Sequence, residues 1–155
     1  MTKILILQGA NLNWLGRREP EKYGTTTAEE LDAKIRNYAE RNKIDVEIVY
    51  CNVEGNAIDT LYDAELRGIG AVVMNPGGFS HSGFALRDCI QGIGVPLVEV
   101  HITNHYARGI HCVTSSAAQG IVMGLGVEGY FVALDAASNL AGMDRHGSPP
   151  QLRHG

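Results

Sequence analysis

Cysteine is scarce in this chain: its 155 residues hold three, Cys51, Cys89 and Cys112, with no C-x-x-C pair among them. An odd, widely spaced set builds no disulfide framework and suits free thiols in a reducing compartment. Positive charge is short as well, with 13 Lys and Arg against 17 Asp and Glu, for a formal net charge of -4. That balance, with no basic face, argues against a nucleic-acid partner. No apolar run is long enough to span a bilayer, which argues against a membrane protein. Met1-Thr2-Lys3-Ile4 enters a strand at once, so no signal peptide is expected. What remains is a cytoplasmic protein, 45% hydrophobic and 19% charged, of a size for one domain with a real core.

The stretch QGANLNWLGRREPEKYG, from Gln8 to Gly24, organises the rest. It leaves the apolar run Ile4-Leu5-Ile6-Leu7, which reads as a buried first strand, and an open α/β sheet places its ligand at such a strand end. The loop is long for a compact domain, and unstructured loops of that length are usually functional. Arg17 to Gly24 is expected to be a lid, with Gly16 and Gly24 as hinges.

Further along, Thr27 to Glu30 fits a capping box, with Thr27 as N-cap and Glu30 reaching back, and it opens a helix to about Asn42. Val46 to Tyr50 reads as a second strand, and Ile58, Leu61, Tyr62 and Leu66 mark a second helix. A third strand, Gly70 to Met74, is expected to end at Asn75-Pro76-Gly77-Gly78. A third helix starts near Ser80 or Ser82, and Pro96 introduces a fourth strand, Leu97 to His101. After a polar segment and a short apolar piece around Cys112-Val113, Ser116 to Gln119 fits a second capping box. It predicts a long last helix to about Leu140 that contains Gly120, Gly124, Gly126 and Gly129 and ends at Gly142. So many glycines suggest close approach to another backbone, as in a neighbouring subunit. Strands alternating with helices imply a three-layer α/β sandwich, a flavodoxin-like five-stranded parallel sheet of order 2-1-3-4-5. Residues 1–141 are read as its single domain, and 142–155 as a polar, loosely ordered tail holding His146 and His154.

Chemistry collects after strands one, three and four. Glu99 and His101 share a face of strand four by period-two alternation, and a carboxylate there can orient the imidazole and raise its pKa, making it a general acid. Tyr23 lies near Arg17 and Arg18, whose charge favours a phenolate, so a closing lid would bring a base. Asn11, Asn75 and the backbone N–H groups of Ile102 and Thr103 are candidates for binding a carboxylate or an enolate oxygen. His101, His105, His111 and Glu99 are close in sequence, yet the segment leaves a strand and offers no H-E-x-x-H and no cysteine partner, so no metal is expected. The first loop is no Ser/Thr-rich phosphate cradle, and no cofactor is expected either.

Four motifs resemble the type II 3-dehydroquinate dehydratases: GANLNWLGRREPEKYG, NVEG from Asn52, NPGGFSHSGFALRD from Asn75, and VEVHITN ending at Asn104. The resemblance runs from Lys3 to about Leu140. It implies anti elimination of water from 3-dehydroquinate through an enolate, without metal or cofactor, in the shikimate or quinate pathway. It casts Tyr23 as the lid base and Arg18 as the residue that keeps it ionised, with Arg17 as substitute. Asn11 would hold a water at the enolate, and His101, oriented by Glu99, would protonate the departing hydroxyl. Asn75, Ile102 and Thr103 would bind the substrate carboxylate, and His81 a ring hydroxyl. Asp88 would reach a neighbouring subunit's site in a dodecamer of trimers.

The chain also departs from the family's pattern. Gln8 and Ala10 replace the usual residues of the first motif, Cys51 stands where serine is common, and Thr103 replaces serine. The segment RGIHCVTSS from Arg108 is shorter than usual, and the family carries a further arginine there that grips ring hydroxyls. Arg108 is the candidate replacement. The shortened segment leaves open a related cofactor-free lyase or isomerase acting on another hydroxylated cyclic ketone. A non-catalytic scaffold would need none of these side chains.

Overall fold

The computed structural model describes residues 2–141 and 143. Five strands form one parallel sheet: β1 Lys3–Ala10, β2 Asp45–Tyr50, β3 Ala71–Gly77, β4 Leu97–His101 and β5 Gly120–Met123. Their order is β2-β1-β3-β4-β5, as the strand spacing predicts. β1 is a run of apolar residues because both of its faces are covered. Leu5 and Leu7 pack with Leu61 of α3 (Glu54–Leu66) and with Leu86 and Ile90 of α5 (Phe84–Gly92). Ile4 and Ile6 point the other way, against Leu31 and Ile35 of α2 (Ala28–Arg41) and Tyr130 and Leu134 of α6 (Gly129–Leu140). The helix pairs on the two faces give the three layers.

Thr27 caps α2 as expected: the Glu30 amide donates to Thr27 Oγ1 at 3.1 Å. The Glu30 carboxylate accepts from the Thr27 hydroxyl at 3.2 Å. β3 runs on through Asn75 and Pro76, pairing with β1 as far as Ala10 opposite Gly77. The helix expected after it is two, α4 (Phe79–Ser82) and α5, broken at Gly83, where a Cβ would stand 2.6 Å from the Phe79 carbonyl oxygen.

The long last helix is a correction. Ser115–Ala117 is a single 3-10 turn, and Gly120–Met123 is the fifth strand, half exposed at the sheet edge. Gly124 and Gly126 take positive φ in the turn after it, and of the four glycines only Gly129 lies in α6. Gly142, His146 and His154 lie outside the described residues. No helix among the described residues is long and apolar enough to cross a membrane.

Candidate active site

β1, β3 and β4 end on the same side of the sheet, and a crevice opens there between the Asn11 loop, the Gly77-Gly78 turn and the segment after His101. Asn11 leaves β1 in the left-handed region at φ 76, a conformation asparagine tolerates better than most residues. Its amide donates to Asn52 Oδ1 at 2.8 Å, so the NVEG corner fixes where the loop departs. Leu15, 3% exposed, anchors the loop in the core. Gly16 follows at φ 84 in close packing, where a Cβ would lie 2.8 Å from Thr26 O and Thr27 Cα. Gly24, at φ 79, has open space where a Cβ would stand. Between the two glycines stands the short helix α1, Pro20–Tyr23, which carries the tyrosine.

Two guanidinium groups flank Tyr23. The Cζ atoms of Arg18 and of Arg108 each stand 5.5 Å from the ring centroid. Arg17 turns away and covers Trp14 at 4.9 Å, which removes it as Arg18's substitute in this arrangement. Arg108 Nη1 also donates to Thr103 Oγ1 at 2.8 Å, which points the guanidinium back across the crevice mouth.

On the far wall, Glu99 Oε2 meets His101 Nε2 at 2.9 Å, with both side chains fully enclosed. The carboxylate also accepts from the hydroxyls of Thr114 and Ser115, and the Cys112 thiol lies 3.8 Å from each of its oxygens. Burial alone would push the Glu99 carboxyl up, but these donors outweigh it and hold the pKa below the ordinary value. Burial likewise opposes charge on His101, yet hydrogen bonding to Cys112 and Glu99 and the negative charge of Glu99 raise its pKa from 6.5 to about 9. That difference favours the imidazolium by on the order of 3 kcal/mol. The contribution to folding is complete below pH 6.5 and disappears as pH climbs through about 9. His105, its ring centroid 4.1 Å from that of His101, is pushed the other way, to about 4, by burial and by the positive charge of His101 and Arg108.

Asn75 lines the crevice but is only 4% exposed, and most of its side chain is engaged. Its Oδ1 accepts from the Gly77 amide at 3.0 Å, and Nδ2 donates to Tyr130 Oη at 2.9 Å. Tyr130 in turn donates to Gln8 Oε1 at 2.7 Å. One Nδ2 hydrogen is therefore left for a ligand. The structure thus brings Asn11, Arg18, Tyr23, Asn75, His81, His101, Ile102 and Arg108 around one space, with Glu99 behind His101. Thr103 touches it through Arg108. Asp88 does not take part: its side chain is 71% exposed and pairs with Arg87 at 3.6 Å, outside the crevice.

Residues 2–138 match the family Dehydroquinase class II. The chain belongs to the class II dehydroquinases. A 3-dehydroquinate dehydratase of Pelotomaculum thermopropionicum is 43% identical over 143 residues, covering 90% of this chain and 99% of the relative. A catabolic 3-dehydroquinase 2 of Aspergillus flavus is 43% identical over 148 residues, covering 93% and 98%. The crystal structure of a type II dehydroquinase from Propionibacterium acnes superposes with a TM-score of 0.83 at 37% identity, over 89% of this chain and 97% of the other.

Within this dehydroquinase crevice the sequence reading missed several groups. Thr114 and Ser115 hold Glu99, and Cys112 packs beside His101. Tyr130 orients Asn75, and Ser80 places a buried hydroxyl without a hydrogen-bond partner in the lining. Most of these contacts join residues more than ten positions apart, and no spacing rule announces them.

Proposed function

We propose that this chain is a type II 3-dehydroquinate dehydratase that converts 3-dehydroquinate to 3-dehydroshikimate in the shikimate or quinate pathway. One observation carries the reading: a tyrosine between two guanidiniums shares a crevice with a buried, carboxylate-bonded histidine. The Tyr23 phenolate takes a proton from the carbon next to the ketone, and the C–H electron pair moves into an enolate. As the enolate collapses, the bond from the β carbon to its hydroxyl breaks, and His101 gives that oxygen the proton that makes it water. The proton on Tyr23 then returns to His101, restoring both groups. Asn11 holds a water at the enolate oxygen. The Asn75 Nδ2 hydrogen and the backbone at Ile102 and Thr103 receive the substrate carboxylate, and His81 a ring hydroxyl. Arg108 replaces the arginine lost with the shortened segment while also facing Tyr23.

The working form in this reading is a cytoplasmic dodecamer built from trimers, in which the exposed Asp88 meets a neighbouring copy's crevice. Residues 1–141 act as the catalytic domain. The deciding measurement is the ultraviolet absorbance of the conjugated enone formed from 3-dehydroquinate, followed with EDTA present. Steady turnover is expected. A folded protein that leaves 3-dehydroquinate untouched favours instead a lyase or isomerase for another cyclic hydroxy ketone, since Arg108 is then unable to serve both Tyr23 and the ring hydroxyls.

The charge state of His101 also predicts a pH profile. An acid with a pKa near 9 keeps its proton through neutrality, so kcat falls on the alkaline side near pH 9. Glu99→Gln removes the carboxylate that favours the imidazolium, and the alkaline limb is expected to move down by about one unit or more. An unmoved limb in that variant would exclude His101 as its source.

A further inference from the structure

His101, His105 and Cys112 gather beside the crevice, and one ligating atom from each lies within 4.8 Å of the others. Histidine 111, which the sequence placed with this group, is not among them, and Cys112 supplies the thiol that spacing along the chain did not offer. From these three side chains we infer a binding site for a soft divalent cation of the zinc type, whose occupation silences the crevice.

Two imidazoles and a thiol are a donor set that zinc prefers over the oxygen-seeking cations. Zinc holds nitrogen at about 2.1 Å and thiolate sulfur at about 2.3 Å, so tetrahedral ligand atoms stand about 3.4–3.6 Å apart. Closing from 4.8 Å asks about 1 Å of adjustment, and half-buried His105, at the head of the 3-10 turn Tyr106–Arg108, is the ring with room to give.

Two further observations point to a ligand. His105 Nδ1 is buried and has no hydrogen-bond partner, a condition that native structures relieve with a water or an ion. Glu99, already bonded to one nitrogen of His101, is the carboxylate that stands behind an imidazole in zinc centres and aligns its other nitrogen. Thr114 and Ser115 fix that carboxylate in turn. His101 and His105 both line the crevice, so the fourth position of the ion opens toward the substrate space. Ligation replaces the proton of the His101 imidazolium and that of the Cys112 thiol. The acid of the proposed elimination is then spent on the metal, and the site acts as an off switch. The binding site itself does not depend on the dehydratase reading, whereas the inhibition does.

Cobalt(II) added to the reduced, EDTA-washed full chain tests the site directly. The expected result is the strong visible spectrum of tetrahedral cobalt with a thiolate-to-cobalt charge-transfer band in the near ultraviolet, both erased by added zinc. Cys112→Ser should abolish the charge-transfer band, which also separates this site from any formed by histidines alone. His105→Gln, at a half-buried position, should weaken binding by about 100-fold or more, since a lost outer partner already costs about 10–100-fold. Circular dichroism of both variants checks that they fold. A weak octahedral spectrum, a charge-transfer band that survives in folded Cys112→Ser, or an unchanged cobalt affinity in folded His105→Gln, overturns the site. Zinc should also stop turnover of 3-dehydroquinate, with recovery on EDTA. If the band forms but metal-free protein has no turnover, the metal site stands and the reaction assignment fails.

Discussion

Tyr23→Phe is expected to lower kcat on 3-dehydroquinate by about 10³-fold or more while leaving the fold and the affinity for a substrate analogue near those of the parent. Positioned proton transfer contributes about 10²–10⁴ to rate, and this residue is assigned the harder transfer, from carbon. The substitution is surgical for structural reasons. Tyr23 is half exposed on a four-residue helix, and its ring contacts with Arg18 and Arg108 need only the ring. Its phenolic oxygen makes no hydrogen bond to a described residue, so deleting it orphans no buried partner. Steady-state kinetics by enone absorbance and analogue titration by calorimetry separate the outcomes. A kcat within about tenfold of the parent would show that another group removes the proton.

His101→Ala should cost about 10²–10⁴ in kcat with an analogue still bound, because the departing hydroxyl loses its proton donor. Here the structural cost is real. Removing the imidazole leaves Glu99 charged at 0% exposure, and breaking a buried pair costs about 3–5 kcal/mol. Glu99 keeps the Thr114 and Ser115 hydroxyls, which stabilise the remaining charge, so the variant is expected to fold with a lowered Tm. His101→Gln restores a donor toward Glu99 without an acid of suitable strength. It should recover Tm but not kcat. Recovery of both, or loss of analogue binding with high residual turnover, would make His101 a gripping group and not the acid.

The parts of this molecule that sequence could reveal are those set by local rules. Leu97–His101 was legible as a strand from Pro96 and the apolar run after it, and period-two alternation put Glu99 and His101 on one face. Thr27 announced its helix because an N-cap acts within three residues. The segment from Ser115 to Gly129 was misread because a four-residue edge strand has too little pattern to oppose a helical cap signal. There Ser116 to Gln119 imitates a capping box, while tertiary pairing with β4 decides the outcome. In the site, the residues on strand ends and in the first loop were legible as lining one crevice. Those that tune them were not, because Thr114, Ser115 and Tyr130 reach Glu99 and Asn75 only through the fold. Arg18 and Arg17 are neighbours in sequence, and only the folded loop, with positive φ at Gly16 and Glu19 on either side of them, shows that one meets Tyr23 and the other Trp14.

The two lid glycines are not equivalent. Gly16 is wedged against Thr26 and Thr27, whereas a Cβ at Gly24 would meet nothing within 4 Å. The loop is therefore bound along one margin, like a page in a book, and in the proposed lid residues 17–24 are the part that would turn. Immobilising a backbone residue costs about 1–2 kcal/mol of entropy. If residues 17–24 order on closure, pinning the first part of the loop in the free protein lowers the penalty that a loop mobile from Asn11 onward would place on the substrate. Less of the substrate's affinity is consumed in shutting the page, and more is left to align its acidic carbon with Tyr23.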